Sequence, residues 1–234
     1  MNERKSLLFL VTADWYFCSH RLPLARAARD AGYRVLVATH VDRHGEQIRR
    51  EGFELLPLAL ERTGRNPFSE LRALRQIVAL YRAQKPDIVH HVALKCVLYG
   101  SIAARLARVP AVVNAFTGLG FVFIARGWKA SLFRSGISWA CRAAMAGGVS
   151  KVIFQNPDDR AVFVDAGIVP ESRTVIIKSS GVDLEAFSAT AEPAGEPLVV
   201  LAGRMLWDKG VGEFVEAAKL VREAGVKARF ALVG

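Results

Sequence analysis

The sequence predicts an α/β protein: a doubly wound, Rossmann-like parallel sheet, followed by the first β–α–β of a second Rossmann-like domain. Three observations predict it. Short apolar runs alternate with segments of helical period along almost the whole chain. The runs are apolar at successive positions, the mark of strands buried on both faces of a parallel sheet. The alternation breaks once, after Asp183, into a stretch of small residues and prolines.

Strands are expected over 7–11, 34–38, 53–56, 88–92, 111–115, 151–155 and 174–178, and helices over 21–31, 45–51, 68–84, 96–107, 128–146 and 157–166. The first run, Leu7-Leu-Phe-Leu-Val11, follows a charged N-terminus as a secretory leader does, but Asp14 interrupts it and no small-residue cleavage site follows, so it reads as a strand. Gly32 and Gly167 lie just beyond the helices they close, and Pro86 and Pro110 separate helices from the strands that follow. Asn156 and Pro157, with Asp158 and Asp159 behind them, open a helix with a cap, a preset φ and acids in the first turn. The uncharged stretch 111–125 is broken by Asn114 and Gly118 and is shorter than a bilayer span, so no transmembrane helix is expected. The chain divides into a first domain over 1–182, a linker over 183–197 and the truncated start of a second domain over 198–234, too short to bury a core of its own.

The segment 198–218 carries the most chemistry. An apolar strand runs into Gly203 and Arg204, then Lys209, and a helix opens past that lysine. Gly203 is expected to let the backbone turn tightly, while Gly210 and Gly212 leave the first helical N–H groups uncovered, where the helix dipole favours an anion. Two cations above a bare helix N-terminus suit a diphosphate; a solvated basic turn is the plainer reading. No G-x-x-x-x-G-K-[ST] occurs, and the Gly118/Gly120 pair stops short of G-x-G-x-x-G because position 123 is Phe.

Cys18, Cys96 and Cys141 are odd in number and widely spaced, which fits reduced thiols in a cytoplasmic protein without a zinc site. The net charge of +10 is placed unevenly: 88–157 contains no Asp or Glu but holds Lys95, Arg105, Arg108, Arg126, Lys129, Arg134, Arg142 and Lys151. Such a face serves nucleic acid, anionic lipid or a phosphorylated substrate, or is simply solvated. Over 128–146, Phe133, Ile137, Cys141 and Met145 recur at helical steps as a core stripe, with Arg134, Ser138 and Arg142 beside them and Trp128, Lys129 and Trp139 at the flanks. An acid-free line edged by tryptophan suits the interface of an anionic membrane.

Several stretches together resemble the first half of a GT-B-fold retaining glycosyltransferase of the family 4-like kind, which includes capsule, O-antigen and lipid-linked oligosaccharide transferases. They are Asp14-Trp-Tyr-Phe-Cys-Ser-His20-Arg21-Leu-Pro, Pro86-Asp-Ile-Val-His90-His91, Asn114-Ala-Phe-Thr117-Gly118-Leu-Gly120, Ser180-Gly181-Val182-Asp183, Gly203-Arg204 and Lys209-Gly210. The resemblance implies an acceptor-binding first domain and a second domain that takes a nucleotide-sugar, uridine diphosphate being the usual carrier. The acceptor is a polyprenyl-diphosphate-linked saccharide reached from the inner face of the cell membrane, with no metal or other cofactor and no nucleic acid partner. Arg204 and Lys209 are implied as the catalytic pair on the donor diphosphate, and His20, Thr117, Gly118, Gly203 and Gly210 as cleft residues. Thr117 stands where many relatives have histidine. The family's pair of glutamates eight residues apart has no counterpart here, since neither Glu192/Glu196 nor Glu213/Glu216 has that spacing; little or no turnover is therefore expected of these 234 residues alone. Two other classes stay open. A nicotinamide-dependent oxidoreductase is opposed by the bulky residues after Asp14, which obstruct close approach of a pyrophosphate. A basic nucleic-acid module is opposed by the lack of any recognised motif.

Overall fold

A computed structural model describes residues 4–60, 66–118, 128–146 and 150–234, without the side chains of 128–134. Gly120, Arg126 and the side chains of Trp128, Lys129, Phe133 and Arg134, all singled out in the sequence, lie outside the described residues. The chain forms two compact units, Met1–Gly181 and Val182–Gly234.

The first unit is built on strands β1 (Ser6–Leu10), β2 (Arg34–Thr39), β3 (Glu54–Pro57), β4 (Ile88–Val92), β5 (Ala111–Phe116), β6 (Ser150–Phe154) and β7 (Thr174–Ile176). They pair in the order β3-β2-β1-β4-β5-β6-β7, every pair parallel. The order reverses between β1 and β4, and at such a switch point an open parallel sheet leaves a crevice beyond its strand C-termini. Between the strands run α1 (Asp14–His20), α2 (Leu22–Asp30), α3 (Gly45–Arg50), α4 (Pro67–Gln84), α5 (Leu94–Ala107), α6 (Trp128–Met145) and α7 (Pro157–Asp165).

Residue alternation on β1 shows why both faces are covered. Leu8 and Leu10 pack with Ile77 and Tyr81 of α4 and Cys96 of α5, while Phe9 and Val11 pack with Phe17, Leu22, Ala25 and Ile48 on the other side. Each such buried side chain contributes roughly 1.5–3 kcal/mol of hydrophobic free energy. A third cluster, Phe116, Cys141, Met145, Phe154 and Phe163, anchors α6 and α7. The stripe of Ile137, Cys141 and Met145 faces this core, as its spacing predicts. Asn156 caps α7 by accepting from the Asp159 amide at 2.7 Å, with Pro157 in the first turn.

The sequence predicts one helix over 21–31, whereas the structure has two. The Arg21 amide closes α1 on the Phe17 carbonyl at 2.8 Å, its own carbonyl accepts the Ala25 amide at 2.9 Å, and its φ of −122° turns the chain between them. Pro23, which has no N–H to donate, sits in the first turn of α2. Asp14 fixes α1 to the sheet edge. Its buried carboxylate accepts from the Trp15 amide at 2.7 Å and from the Asp42 and His44 amides, each at 2.8 Å, tying α1 to the loop after β2.

In the second unit β8 (Leu198–Ala202) and β9 (Arg229–Val233) are parallel and flank α8 (Val211–Glu223), with a short 3-10 turn at Trp207–Lys209. Phe214 and Phe230 meet edge to face at 5.9 Å and fasten helix to sheet. Asp183 accepts from the Glu185 and Ala186 amides at 2.9 and 3.3 Å, so the carboxylate of the Gly-Val-Asp stretch caps a single local turn.

Candidate active site

Beyond the C-terminal ends of β4 to β7 the first unit has a cavity of about 190 Å³. Ala115, Phe116, Ile153 and Ile177 provide apolar wall, and His20, Arg21, His90, Gln155, Ser179 and Ser180 provide polar groups. Among the described residues no carboxylate lines it. The α1–α2 corner brings His20 and Arg21 over the strand ends. His20 is the last residue of α1, and it does reach the cavity, as its place among the cleft residues implies. Its ring stacks on Tyr16 at 4.3 Å and its Nδ1 meets Ser19 Oγ at 2.6 Å.

The tandem histidines of β4 point to opposite faces because strand side chains alternate. His90 stacks on Phe9 at 5.3 Å and its edge reaches the cavity; it is 6% exposed. Burial pushes its pKa down to about 3, helped by the Arg21 cation and by His91, so the ring is neutral at physiological pH. Burial likewise lowers the Arg21 guanidinium from its usual value, against a raising contribution from Tyr16. His91 enters the opposite layer, where its Nδ1–H donates to Asn114 Oδ1 at 2.7 Å and its Nε2 accepts from the Tyr81 hydroxyl at 3.0 Å. Ser101 Oγ also donates to Asn114 Oδ1, at 3.2 Å. Burial lowers the His91 pKa to about 4, with Asn114 acting the other way. This second histidine is a core polar network, and only the first faces the crevice.

Thr117 and Gly118 follow β5 at the rim. Thr117 is half-buried, and Gly118 is exposed with a φ of +118° that favours glycine. The wall itself takes Ala115 and Phe116 from this strand. Arg21, His90, Gln155 and Ser180 are site residues that the sequence reading did not assign; strand alternation at 90 and 91 was the one available signal for any of them.

The other four predicted residues lie in the second unit. Gly203 follows β8, and its amide donates to the Val233 carbonyl at 2.8 Å. Its φ is +159°, and the chain bends at this residue as the strand ends. The chain reverses after it, where the Leu206 amide donates to the Arg204 carbonyl at 2.7 Å, and again at Gly210, whose φ of +76° opens α8. Arg204 and Lys209 are exposed on this β8–α8 connection, and neither makes an ion pair among the described residues. The expectation of an uncovered helix start holds less well at Gly212, where a Cβ would stand 2.7 Å from the Trp207 ring. Glycine there makes room for the indole. Glu213, in the first turn, sends Oε2 to within 3.9 Å of where a Gly210 Cβ would lie.

Much of the acid-free charge has a structural use. Arg105 donates to the Ala143 carbonyl at 3.1 Å, Arg142 to that of Ala166 at 2.5 Å and Lys151 to that of Ser172 at 3.0 Å, while Lys95 pairs with Glu70 at 2.8 Å. Trp139 is 72% exposed on α6. Among the described residues no helix is long and apolar enough to cross a membrane. All three thiols are free, and burial raises their pKa values, to about 11 at Cys18 and about 12 at Cys96 and Cys141.

Residues 6–156 match a family model described as glycosyl transferase 4-like. The N,N'-diacetylbacillosaminyl-diphospho-undecaprenol alpha-1,3-N-acetylgalactosaminyltransferase of Campylobacter jejuni is 27% identical over 239 aligned residues, 97% of this chain and 62% of that protein. The UDP-Gal:alpha-D-GlcNAc-diphosphoundecaprenol alpha-1,3-galactosyltransferase of Escherichia coli is 27% identical over 165 residues, 66% of this chain and 41% of that protein. The chain thus spans less than two thirds of the length of these curated relatives. Anabaena HepE, solved with UDP and glucose, shares the fold with a TM-score of 0.68 at 15% identity, over 99% of this chain and 69% of that one. From the family match over its first unit, the chain belongs to the glycosyl transferase 4-like family of GT-B glycosyltransferases.

Proposed function

We propose that the chain is the acceptor-binding unit and the start of the donor-binding unit of a retaining glycosyltransferase that moves a sugar from a nucleotide-sugar, with uridine diphosphate as carrier, to a polyprenyl-diphosphate-linked saccharide. The family match and the names of the two curated relatives support transfer to a lipid-linked acceptor. In the reaction an acceptor hydroxyl oxygen forms a bond to the anomeric carbon and passes its proton to the departing diphosphate oxygen, while the bond from that carbon to the donor diphosphate breaks. Negative charge grows on the departing diphosphate, and cations that meet it there stabilise the transition state more than the bound substrate.

The observation that carries this reading is the β8–α8 connection, which exposes Arg204 and Lys209 beside a helix start opened by Gly210. Docking at an anionic membrane surface fits the same acceptor and is supported by the exposed Trp139 in the acid-free stretch. The test offers the protein a polyprenyl-diphosphate saccharide with a panel of UDP-sugars and reads acceptor mass and released UDP. Weak donor binding and slow turnover are expected of these 234 residues, which lack a counterpart of the glutamate pair: any acceptor that gains mass gains one sugar residue, with an equal amount of UDP released. Failure of every UDP-sugar to bind, by calorimetry, overturns the reading.

A further inference from the structure

His20 lines the cavity beyond β4 to β7, and one of its two ring nitrogens is already engaged: Nδ1 meets Ser19 Oγ at 2.6 Å. Nε2 has no hydrogen-bond partner among the described residues and is not one of the buried unpaired atoms, so water reaches it. A second contact holds the ring, which lies parallel to that of Tyr16 with centroids 4.3 Å apart and planes within 6°. A ring turned over would set Cδ2 against Ser19 Oγ, well inside the approach of about 3.3 Å that carbon and oxygen keep.

Ser19 decides which nitrogen carries the proton. Its hydroxyl has a single hydrogen. Oγ stands 2.9 Å from the Trp15 carbonyl oxygen and 3.3 Å from that of Tyr16, and both of these can only accept. The hydrogen goes back to the preceding turn of α1, as serine hydroxyls within helices bond the carbonyl four residues before them. With that hydrogen spent, Oγ can only accept at its contact with His20, so the imidazole is the donor there. In a neutral ring one nitrogen donates and the other accepts, and a proton held on Nδ1 leaves the lone pair on Nε2.

We propose that Ser19 is a positioning residue that locks His20 in the Nδ1–H tautomer, so that Nε2 accepts a hydrogen bond from a hydroxyl of the saccharide substrate. A fully ionised phosphate oxygen has no hydrogen to give to that lone pair, whereas a sugar hydroxyl has one. The saccharide as the source of the hydroxyl rests on the transferase reading; the tautomer follows from the geometry of α1 alone.

The chain has five histidines, so ¹⁵N-histidine labelling gives a short spectrum in which His20→Gln identifies the His20 signals. At about pH 8, above the ordinary histidine range, native His20 is expected to show a protonated Nδ1 and an unprotonated Nε2. Ser19→Ala removes the acceptor, and the two resonances move toward each other; Ser19→Thr, which keeps the hydroxyl, restores the native pattern, as it would not for a general fold defect. Titration with N-acetylglucosamine shifts native Nε2 saturably while leaving it unprotonated, and Ser19→Ala weakens this binding about fivefold, the scale of one neutral hydrogen bond. Inorganic phosphate leaves Nε2 where it is. A proton on Nε2 in the native protein, or a Ser19→Ala variant with the native tautomer, overturns the lock. An Nε2 that answers phosphate, or neither probe, overturns the hydroxyl role. UDP-sugar binding is measured by calorimetry on the same samples: its absence beside an intact Nδ1–H tautomer sinks the transferase reading and leaves the lock standing, so the two fail separately.

Discussion

Gly100 of α5 lies directly against the ring of His91 on β4: a Cβ at position 100 would stand 2.5 Å from both Cδ2 and Nε2 of the imidazole. The helix is allowed its close approach by the missing side chain, and that approach seals the layer in which His91 pairs with Asn114 and Tyr81. The ring cannot retreat, because both nitrogens are already bonded.

Gly100→Ala is therefore destabilising, although alanine is the better helix former. Either the ring shifts and breaks bonds on both nitrogens, or α5 moves outward and opens a void. A loss of about 2–4 kcal/mol is expected from urea unfolding, the range of overpacking combined with an unpaired buried group. A variant as stable as the native protein shows that α5 and β4 are not packed this closely.

The two buried histidines set an acid limit on stability. Their folded pKa values, about 3 and about 4, lie below the ordinary 6.5. Above pH 6.5 the rings are neutral whether folded or not and cost nothing; as pH falls below 6.5 the unfolded chain takes up protons that the folded chain refuses, so stability drops. His90 faces Phe9 and the Arg21 cation, and His91 faces Tyr81, Asn114 and Ser101, so no carboxylate partner holds either proton. At pH 4.5 each contributes a loss on the order of 2–3 kcal/mol relative to pH 7. Urea unfolding at the two pH values measures it, and His91→Gln should remove about half the difference. A pH-independent stability across this window contradicts neutral burial.

Asp14 carries a related prediction. Burial raises its carboxyl pKa, but amide donors from Asp42, His44 and Trp15 outweigh this and hold it below the usual value. Asp14→Asn points an amide NH₂ at one of those three N–H groups. A loss of about 2–4 kcal/mol is expected, with faster hydrogen exchange at the Asp42 and His44 amides than elsewhere in the sheet. Exchange that changes equally everywhere indicates global destabilisation without the specific tie.

Much of the first unit was legible because short, continuously apolar runs are almost unambiguous once proline, glycine and Asn caps punctuate them. The strand at 88–92 falls where the sequence puts it, and the others differ by one or two residues at their ends. The helix at Asp14–His20 was missed because its aromatic cluster lacks a polar face and its start is set by a carboxylate clasping a distant loop. The cavity residues were hidden for a different reason: Arg21, His90 and Ser180 sit on three segments far apart in the chain, and only the strand order joins them. The acid-free charge was legible as composition, but the carbonyls that engage Arg105, Arg142 and Lys151 were not.

At the start of α8 the carboxylate of Glu213 already occupies the neighbourhood of the positive helix end. It stabilises the free helix and competes with an incoming diphosphate. Glu213→Gln should tighten UDP about two- to fivefold, the scale of a charge at a helix terminus, and at the same time lower thermal stability slightly. Unchanged UDP affinity at low salt places the diphosphate away from this helix.

Arg204 and Lys209 are distinguishable by kinetics. Both are exposed and unpaired in the described structure, so replacing either by alanine removes no folding contact, and any loss reads on substrate. If they act on the charge that develops as the diphosphate departs, kcat falls about 10²–10³-fold for each while KM for the donor moves far less. If they only hold the ground-state donor, KM rises and kcat stays. Arg204→Lys separates charge from geometry: a lysine keeps the charge but loses the planar fork that meets two phosphate oxygens together, so partial recovery is expected and full recovery argues for a point charge. The double substitution gives the decisive value. Losses that multiply describe two independent contacts on the donor, whereas a double variant no worse than the worse single one shows the guanidinium and the ammonium acting as one clamp on the leaving group.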